Sequence, residues 1–201
     1  MRDLSSTDNR PGFLVLAAGS ARRFGSNKLL TNLDDKPVIQ HCLDTLLETK
    51  HPIAVVSNAN DILAQNLLSN APVMNIPYRP QCDTLHGLGY SLAHGIEHTR
   101  HWNGWVICLA DMPWIQAGTY TQTINALSHS AITRPIYSPT QQIGHPVGFD
   151  SHYRDQLLAL TGDQGAISIV SRNKSTLSLI EVEDYGILLD IDLPSDLNRG
   201  P

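Results

Sequence analysis

Short aliphatic and β-branched runs alternate along the chain with longer stretches whose apolar residues recur at helical spacing, and this alternation restricts the fold more than any other feature. Residues 13–18 (Phe-Leu-Val-Leu-Ala-Ala) read as a buried strand. Residues 37–50 carry Val38, Ile39, Cys42, Leu43, Leu46 and Leu47, a helical stripe opened by proline at its first turn. Further strands are expected at 53–57, 73–78, 105–109 and 131–137, and further helices at 61–69, 87–98 and 119–129. Strands separated by helices of this length imply βαβ units. The expected class is therefore α/β, with a mostly parallel sheet and helices on both faces. The last third departs from this rhythm. Residues 143–150, 176–183 and 187–192 read as extended, with helical pieces between them, so a few late or antiparallel strands are expected there. No internal repeat and no low-complexity segment interrupts the pattern.

Composition bounds what such a fold can be used for. A chain of 201 residues with 41% apolar content supports one well-formed core and is short for two. A single domain at 12–201 is expected, preceded by a polar, frayed tail at 1–11 that has no apolar stretch of the signal-peptide kind. Apolar runs fall far short of membrane-spanning length, so a cytoplasmic protein without membrane contact is expected. A formal net charge of −5 argues against a nucleic-acid surface. Cys42, Cys82 and Cys108 are odd in number and widely spaced, which suits buried small hydrophobes better than a metal or disulfide framework.

Against this acidic background, the turn after the first strand is locally basic. The strand breaks at Gly19 into a loop that carries Arg22, Arg23 and Lys28, with Gly25 among them. Glycines let backbone N–H groups approach phosphate oxygens closely, and fixed cations neutralise the oxygens' charge. The spacing is not that of the phosphate loop G-x-x-x-x-G-K-[ST], and Ala21 stands where G-x-G-x-x-G needs its second glycine. An ordinary strand-to-helix turn with surface arginines is the competing reading.

Ligands of parallel sheets sit outside the carboxyl ends of the strands. That rule gathers residues 19–28 after the first strand, residues 81–87 after the third, and Asp111 at the end of the fourth. A carboxylate at 111, stopped by Pro113 and facing arginine and lysine, suits Mg²⁺ bridging to phosphate, or else caps the turn that follows. Asp190 and Asp192, two apart on an extended segment, would share a face while Ile191 packs inward. Two carboxylates on one face attract a divalent ion or repel each other, although Asp192 or Ser195 could equally cap a last helix with Asp196 in its first turn.

At this point the chain resembles a known family. Residues 16–28, L-A-A-G-S-A-R-R-F-G-S-N-K, are similar to the L-A-A-G-x-S/G-x-R-x-G-x-x-K signature of the nucleotidyltransferases that attach a nucleotide to molybdopterin. L-A-D-M-P at 109–113 resembles that family's metal-binding element, and G-L-G-Y-S-L-A-H-G at 87–95 its G-x-x-x-S-L-x-x-G helix. G-H-P-V with Phe149, G-D-Q-G-A at 162–166 and D-I-D-L-P-S-D-L at 190–197 resemble three further elements in the family's order. The chain departs from the pattern at Phe24, where methionine is usual, at Ile167, where arginine is frequent, and at Gly148, where a larger residue is usual.

The resemblance implies a Rossmann-like three-layer nucleotidyltransferase fold, dependence on Mg²⁺ and a nucleoside triphosphate substrate. Ala17-Ala18-Gly19 and the Gly-x-x-x-Ser-Leu helix are similar to the molybdenum cofactor cytidylyltransferase (MocA-like) branch of the MobA-like NTP transferases. That branch moves CMP from CTP to the molybdopterin-type cofactor and releases pyrophosphate. A guanylyltransferase using GTP on the same cofactor, or transfer to another phosphorylated acceptor such as a sugar phosphate, are the alternatives. A nicotinamide or flavin oxidoreductase is disfavoured by the missing dinucleotide fingerprint, and a non-catalytic nucleotide sensor by retention of Asp111, Asp190 and Asp192. By the resemblance, Arg23, Lys28 and Asp111 are the catalytic residues, with Arg22 as helper. Leu16, Ala17, Ala18, Gly19, Gly87 and Ser91 complete the nucleotide contacts. Asp111 with Asp190 or Asp192 holds the metal. His145 could contact the acceptor or a metal-bound water, or be structural, and Asp163 could bind the acceptor or cap a helix starting near Gly165. The resemblance also leaves room for transient contact with a molybdoenzyme or its chaperone.

Overall fold

The computed structural model describes residues 8–19, 24, 27–80, 87–163 and 165–200. Arg22, Arg23, Cys82 and residues 81–86 lie outside the described residues. The strands are β1 (Gly12–Ala17), β2 (Asn32–Leu33), β3 (Lys36–Pro37), β4 (Ile53–Asn58), β5 (Met74–Tyr78), β6 (Gly104–Leu109), β7 (Ile132–Tyr137), β8 (Gln142–Ile143), β9 (Val147–Asp150) and β10 (Leu177–Val182). The helices are α1 (Val38–Glu48), α2 (Ile62–Ser69), α3 (Leu88–His98), α4 (Ala117–Ala126), α5 (Arg154–Leu158) and α6 (Ile167–Arg172).

Eight strands form the main sheet, in the order β10-β7-β9-β6-β1-β4-β5, with β8 paired to β7, while β2 and β3 make a separate ribbon. β1 is central and parallel to both neighbours, with Phe13 opposite Ile53 on one side and Val106 on the other. All six of its residues are buried, as a strand covered on both faces requires. One strand of the path runs backwards: β9 is antiparallel to β6 and to β7. Helices cover both faces. Alternate β1 residues Phe13, Val15 and Ala17 pack with Ile39, Leu43 and Leu46 of α1 and with Tyr120 and Ile124 of α4. Leu14 and Leu16 pack on the other side with Leu92 and Ile96 of α3, Leu157 of α5, and Ile169 and Val170 of α6.

Local chemistry sets the element ends. Pro37 occupies the N-cap of α1, and the Asp61 carboxylate accepts the Ala64 N–H at 3.0 Å to open α2. Residues 143–150 are not one strand, since the chain turns at His145–Pro146, whose peptide bond is cis, between β8 and β9. Residues 187–192 are not a strand either. The Asp184 carboxylate accepts the Gly186 N–H at 3.0 Å and winds Tyr185–Leu188 into a 3₁₀ turn. Beyond it Ile191 is fully buried and its N–H donates to the Asp111 carbonyl at 3.0 Å. That bond brings the far end of the chain to the carboxyl end of β6.

Candidate active site

Strand order places the site. The chain leaves β1 toward β4 and β5 on one side, then returns to lay β6 on the other. Between β1 and β6 the outgoing connections diverge, which opens a crevice at the carboxyl edge of the sheet. A cleft of about 650 Å³ lies there. Leu16, Ala18 and Gly19 at the end of β1 form one wall, and Leu109 and Asp111 follow β6. Gly87, Leu88 and Ser91 at the start of α3 close the opposite side with Asp163. Gly87 has φ +130°, and a Cβ there would run into the Gly162 carbonyl, so the turn that brings α3 against Asp163 requires glycine.

The charged centre sits at one end of this cleft. Lys28 Nζ lies 2.7 Å from Asp111 Oδ2 and 3.1 Å from Asp192 Oδ1, joining a residue of the turn after β1 to one after β6 and one near the C-terminus. Burial works against the Lys28 charge, but the hydrogen bonds and charges of Asp111 and Asp192 outweigh it and raise the ammonium above its ordinary range. Asp190 feels the opposite balance. Partial burial and the negative charges of Asp111 and Asp192 raise its carboxyl, against weaker opposing contributions from its own backbone and Lys28. Asp111 Oδ1 is buried and has no hydrogen-bond partner among the described residues. The Asp192–Leu193 segment is held by Asp196, whose Oδ2 accepts the Asp192 N–H at 3.0 Å and the Leu193 N–H at 2.7 Å.

Most expected site residues therefore meet. Leu16, Ala18, Gly19, Gly87, Ser91, Asp111 and Asp163 line the cleft, and Lys28, Asp111 and Asp192 are in contact. The Ala17 side chain belongs to the core facing α1 and α4, and the contact expected of Ala17 is one through its backbone. Asp163 is not a helix cap, because α6 starts at Ile167 behind Ala166 with no side-chain cap. Ser91 donates its hydroxyl to the Leu88 carbonyl at 3.0 Å while lining the cleft. His145 does not face the cleft. It lines an adjoining apolar pocket together with Arg134. Arg22 and Arg23 lie outside the described residues.

Sequence reasoning passed over Asn58, the last residue of β4, and Asn60 just beyond it, which line the cleft, and Tyr78 at the end of β5. The carboxyl-end rule applied to β4 finds the two asparagines. Arg134 was visible as a lone cation within the apolar run of β7.

Similarity to known proteins agrees with this arrangement. The model of the MobA-like NTP transferase domain matches residues 13–177. The chain is 27% identical over 195 residues to the purine catabolism protein PucB of Bacillus subtilis, covering 91% of this chain and 92% of that protein. The structure superposes on Rv0371c of Mycobacterium tuberculosis with a TM-score of 0.80 at 22% identity, covering 96% of this chain and 98% of the other. That same protein has also been solved in complex with manganese, at a TM-score of 0.76, 22% identity and 94% and 97% coverage. A nucleotidyl transferase from Methanothermobacter, Mth528, superposes at 0.77 with 21% identity and 95% coverage of each chain. The sheet order is thus that of a Rossmann-like nucleotidyltransferase fold, and the chain belongs to the MobA-like NTP transferase family.

Proposed function

We propose that this nucleotidyltransferase moves CMP from CTP to the phosphate of a molybdopterin-type cofactor and releases pyrophosphate. The observation that carries the reading is the Lys28–Asp111–Asp192 cluster at the switch-point cleft. It supplies one fixed cation for a polyphosphate and oxygen donors for a hard divalent ion. CTP is favoured by the small residues Ala17, Ala18 and Gly19 of the first turn, which match the cytidylyl branch of the family.

The donor set fits Mg²⁺. It consists of carboxylate oxygens, and one of them, Asp111 Oδ1, is buried without a partner among the described residues. Mg²⁺ is commonly held by one or two protein carboxylates and completes its shell with water and substrate phosphates. Asp111 with Asp190 or Asp192 would hold Mg²⁺, which when bound neutralises charge on the phosphate oxygens.

Everything else falls to the protein. The acceptor phosphate is already a nucleophile at neutral pH, so attack on the α-phosphorus needs positioning and charge neutralisation more than a strong base. Arg23 and Lys28 hold the β- and γ-phosphates, with Arg22 assisting. Before substrate enters, Lys28 is neutralised by Asp111 and Asp192. A triphosphate would compete for the Lys28 ammonium, and Asp111 and Asp192 would then be available to hold the ion. Leu16, Ala18, Gly19, Gly87 and Ser91 present the surface on which the nucleotide lies. Product release to a molybdoenzyme or its chaperone completes the reading.

The test is pyrophosphate release by the purified protein with Mg²⁺ and molybdopterin cofactor, CTP against GTP. Faster release from CTP, dependent on the cofactor, is expected. Faster release from GTP overturns the cytidylyl assignment, and tight CTP binding without release under any acceptor makes the protein a sensor.

A further inference from the structure

A pocket of about 120 Å³ adjoins the nucleotide cleft, with Leu16, Leu88 and Leu109 common to both. Its remaining walls are aliphatic, among them Ile107, Val147 and Val170. Two polar side chains break this lining, Arg134 from β7 and His145 from the turn before β9.

Both polar groups are under-used. The Arg134 guanidinium donates through Nε at 3.2 Å and Nη2 at 2.9 Å to the Gly144 carbonyl, and no carboxylate pairs with it among the described residues. Burial lowers its affinity for the proton, the mark of a cation short of water and of counter-charge. His145 Nδ1 is buried and has no hydrogen-bond partner among the described residues, while its backbone N–H donates to the Ile187 carbonyl at 3.0 Å. A half-buried guanidinium whose one recorded acceptor is a backbone carbonyl keeps donors free for an anion.

We propose that this pocket is a small-molecule subsite beside the nucleotide cleft, and that it takes a short aliphatic group ending in an oxyanion, with the anion on Arg134 and His145 and the aliphatic part against Leu88, Ile107 and Val147. The proposal goes beyond the nucleotidyltransferase reading, on which it rests only for the neighbouring nucleotide: its ligand is a small aliphatic oxyanion distinct from the phosphate that reacts.

Butyrate is the probe, titrated into the full chain without nucleotide and followed by ligand-observed NMR, with butanol and butylamine as neutral and cationic counterparts. Saturable butyrate binding in the millimolar range is expected, at least ten-fold tighter than either counterpart. It falls at least ten-fold in Arg134→Gln. It falls similarly in Ile167→Trp, which places a large ring at the pocket mouth from a position that is 54% exposed and whose replacement leaves the core intact. Equal binding of butanol, or butyrate binding that survives Ile167→Trp, overturns the proposal. CTP with Mg²⁺ is titrated into the same variants by thermal shift. Retained CTP binding with no butyrate binding sinks the subsite alone, whereas lost CTP binding in the unmodified protein sinks the nucleotidyltransferase reading itself.

Discussion

Single residues divide here between those that hold charge for chemistry and those that hold the chain. In the proposed reaction Asp111 belongs to the first kind. It stands just beyond β6, outside the core, and Lys28 keeps Asp192 at 3.1 Å if Asp111 is lost. Asp111→Asn is therefore expected to leave the melting temperature within about 4 °C of the parent, since losing one of two partly exposed pairing partners costs less than about 1 kcal/mol. Pyrophosphate release is expected to fall by about 10²–10³-fold or more, the usual effect of removing one group that stabilises developing charge. Equal losses of melting temperature and rate would instead mark Asp111 as a structural residue. His145 behaves differently. Burial first, then the Arg134 charge, push its imidazole down to about 4, with Asp111 opposing. The folded state thus holds the ring neutral, while the unfolded chain titrates it near 6.5. Its contribution to stability is complete above that value and is lost as pH falls from there toward 4, because the unfolded state then binds the extra proton. Between pH 7.5 and 4.5 the parent is expected to lose about 2 kcal/mol more than His145→Gln, measured by denaturant unfolding. Parallel losses would place the ring in water. Gly148 shows how a departure from the family pattern finds its reason in a neighbour: Thr133 lies opposite it across β7 and β9, and a Cβ at 148 would collide with the Thr133 hydroxyl oxygen. Phe24, in place of the usual methionine, is buried with Leu33, Val38 and Ile191, an apolar exchange absorbed by packing.

At the scale of elements, the buried Asp184 ties together segments remote in sequence. Its Oδ2 accepts the Gln116 N–H at 2.8 Å and the Thr119 hydroxyl at 2.6 Å, and its Oδ1 accepts the Gly186 N–H at 3.0 Å. A carboxylate before one 3₁₀ turn thereby caps the first turn of α4, which lies 65 to 68 residues earlier. Asp184→Ala leaves these donors buried without an acceptor and is expected to cost about 3 kcal/mol, or roughly 6–12 °C in melting temperature, by calorimetry. A drop under 2 °C would mean that water replaces the carboxylate. This link explains what the sequence could and could not tell. β1, β4, β5, β6 and β7 are legible to within a residue at each end; β1, β4 and β6, covered on both faces, carry nearly unbroken apolar runs, whereas β5 at the sheet edge buries only Ile76. Residues 187–192 carry the same apolar signal, yet they coil, because Asp184 captures the Gly186 N–H before a ladder can. Burial of Ile187 and Ile191 comes from the coiled segment packing beneath Asp111, and periodicity alone does not distinguish that from a strand. For the site, short motifs at strand ends were readable, whereas Arg134 and Asn58 owe their position to sheet order, which one sequence does not display.

In the whole molecule, the cleft is the place where both layers and both ends of the chain meet. β1 and β6 supply its floor, α3 on one face supplies Gly87 and Ser91, and the segment after Ile187 supplies Asp192 from the far terminus. The reversed strand β9 inserts between β6 and β7, and so sets the adjoining pocket beside the cleft rather than on a separate edge. A nucleotide seated here touches elements that are remote in sequence, so its binding free energy is felt by the cooperative unit as a whole rather than by one loop. CTP with Mg²⁺ at about a hundred times its dissociation constant is expected to stabilise the fold by roughly 2.7 kcal/mol. For a chain of 201 residues that corresponds to roughly 5–11 °C, read by thermal shift. A triphosphate meeting a protein of net charge −5 needs counter-charge, so the shift is expected to require the divalent ion and to shrink as Lys28 is replaced by Met. A shift of the same size with CTP alone, unchanged in Lys28→Met, would mean that the triphosphate tail binds away from the charged cluster, and the reading built on that cluster would fall with it.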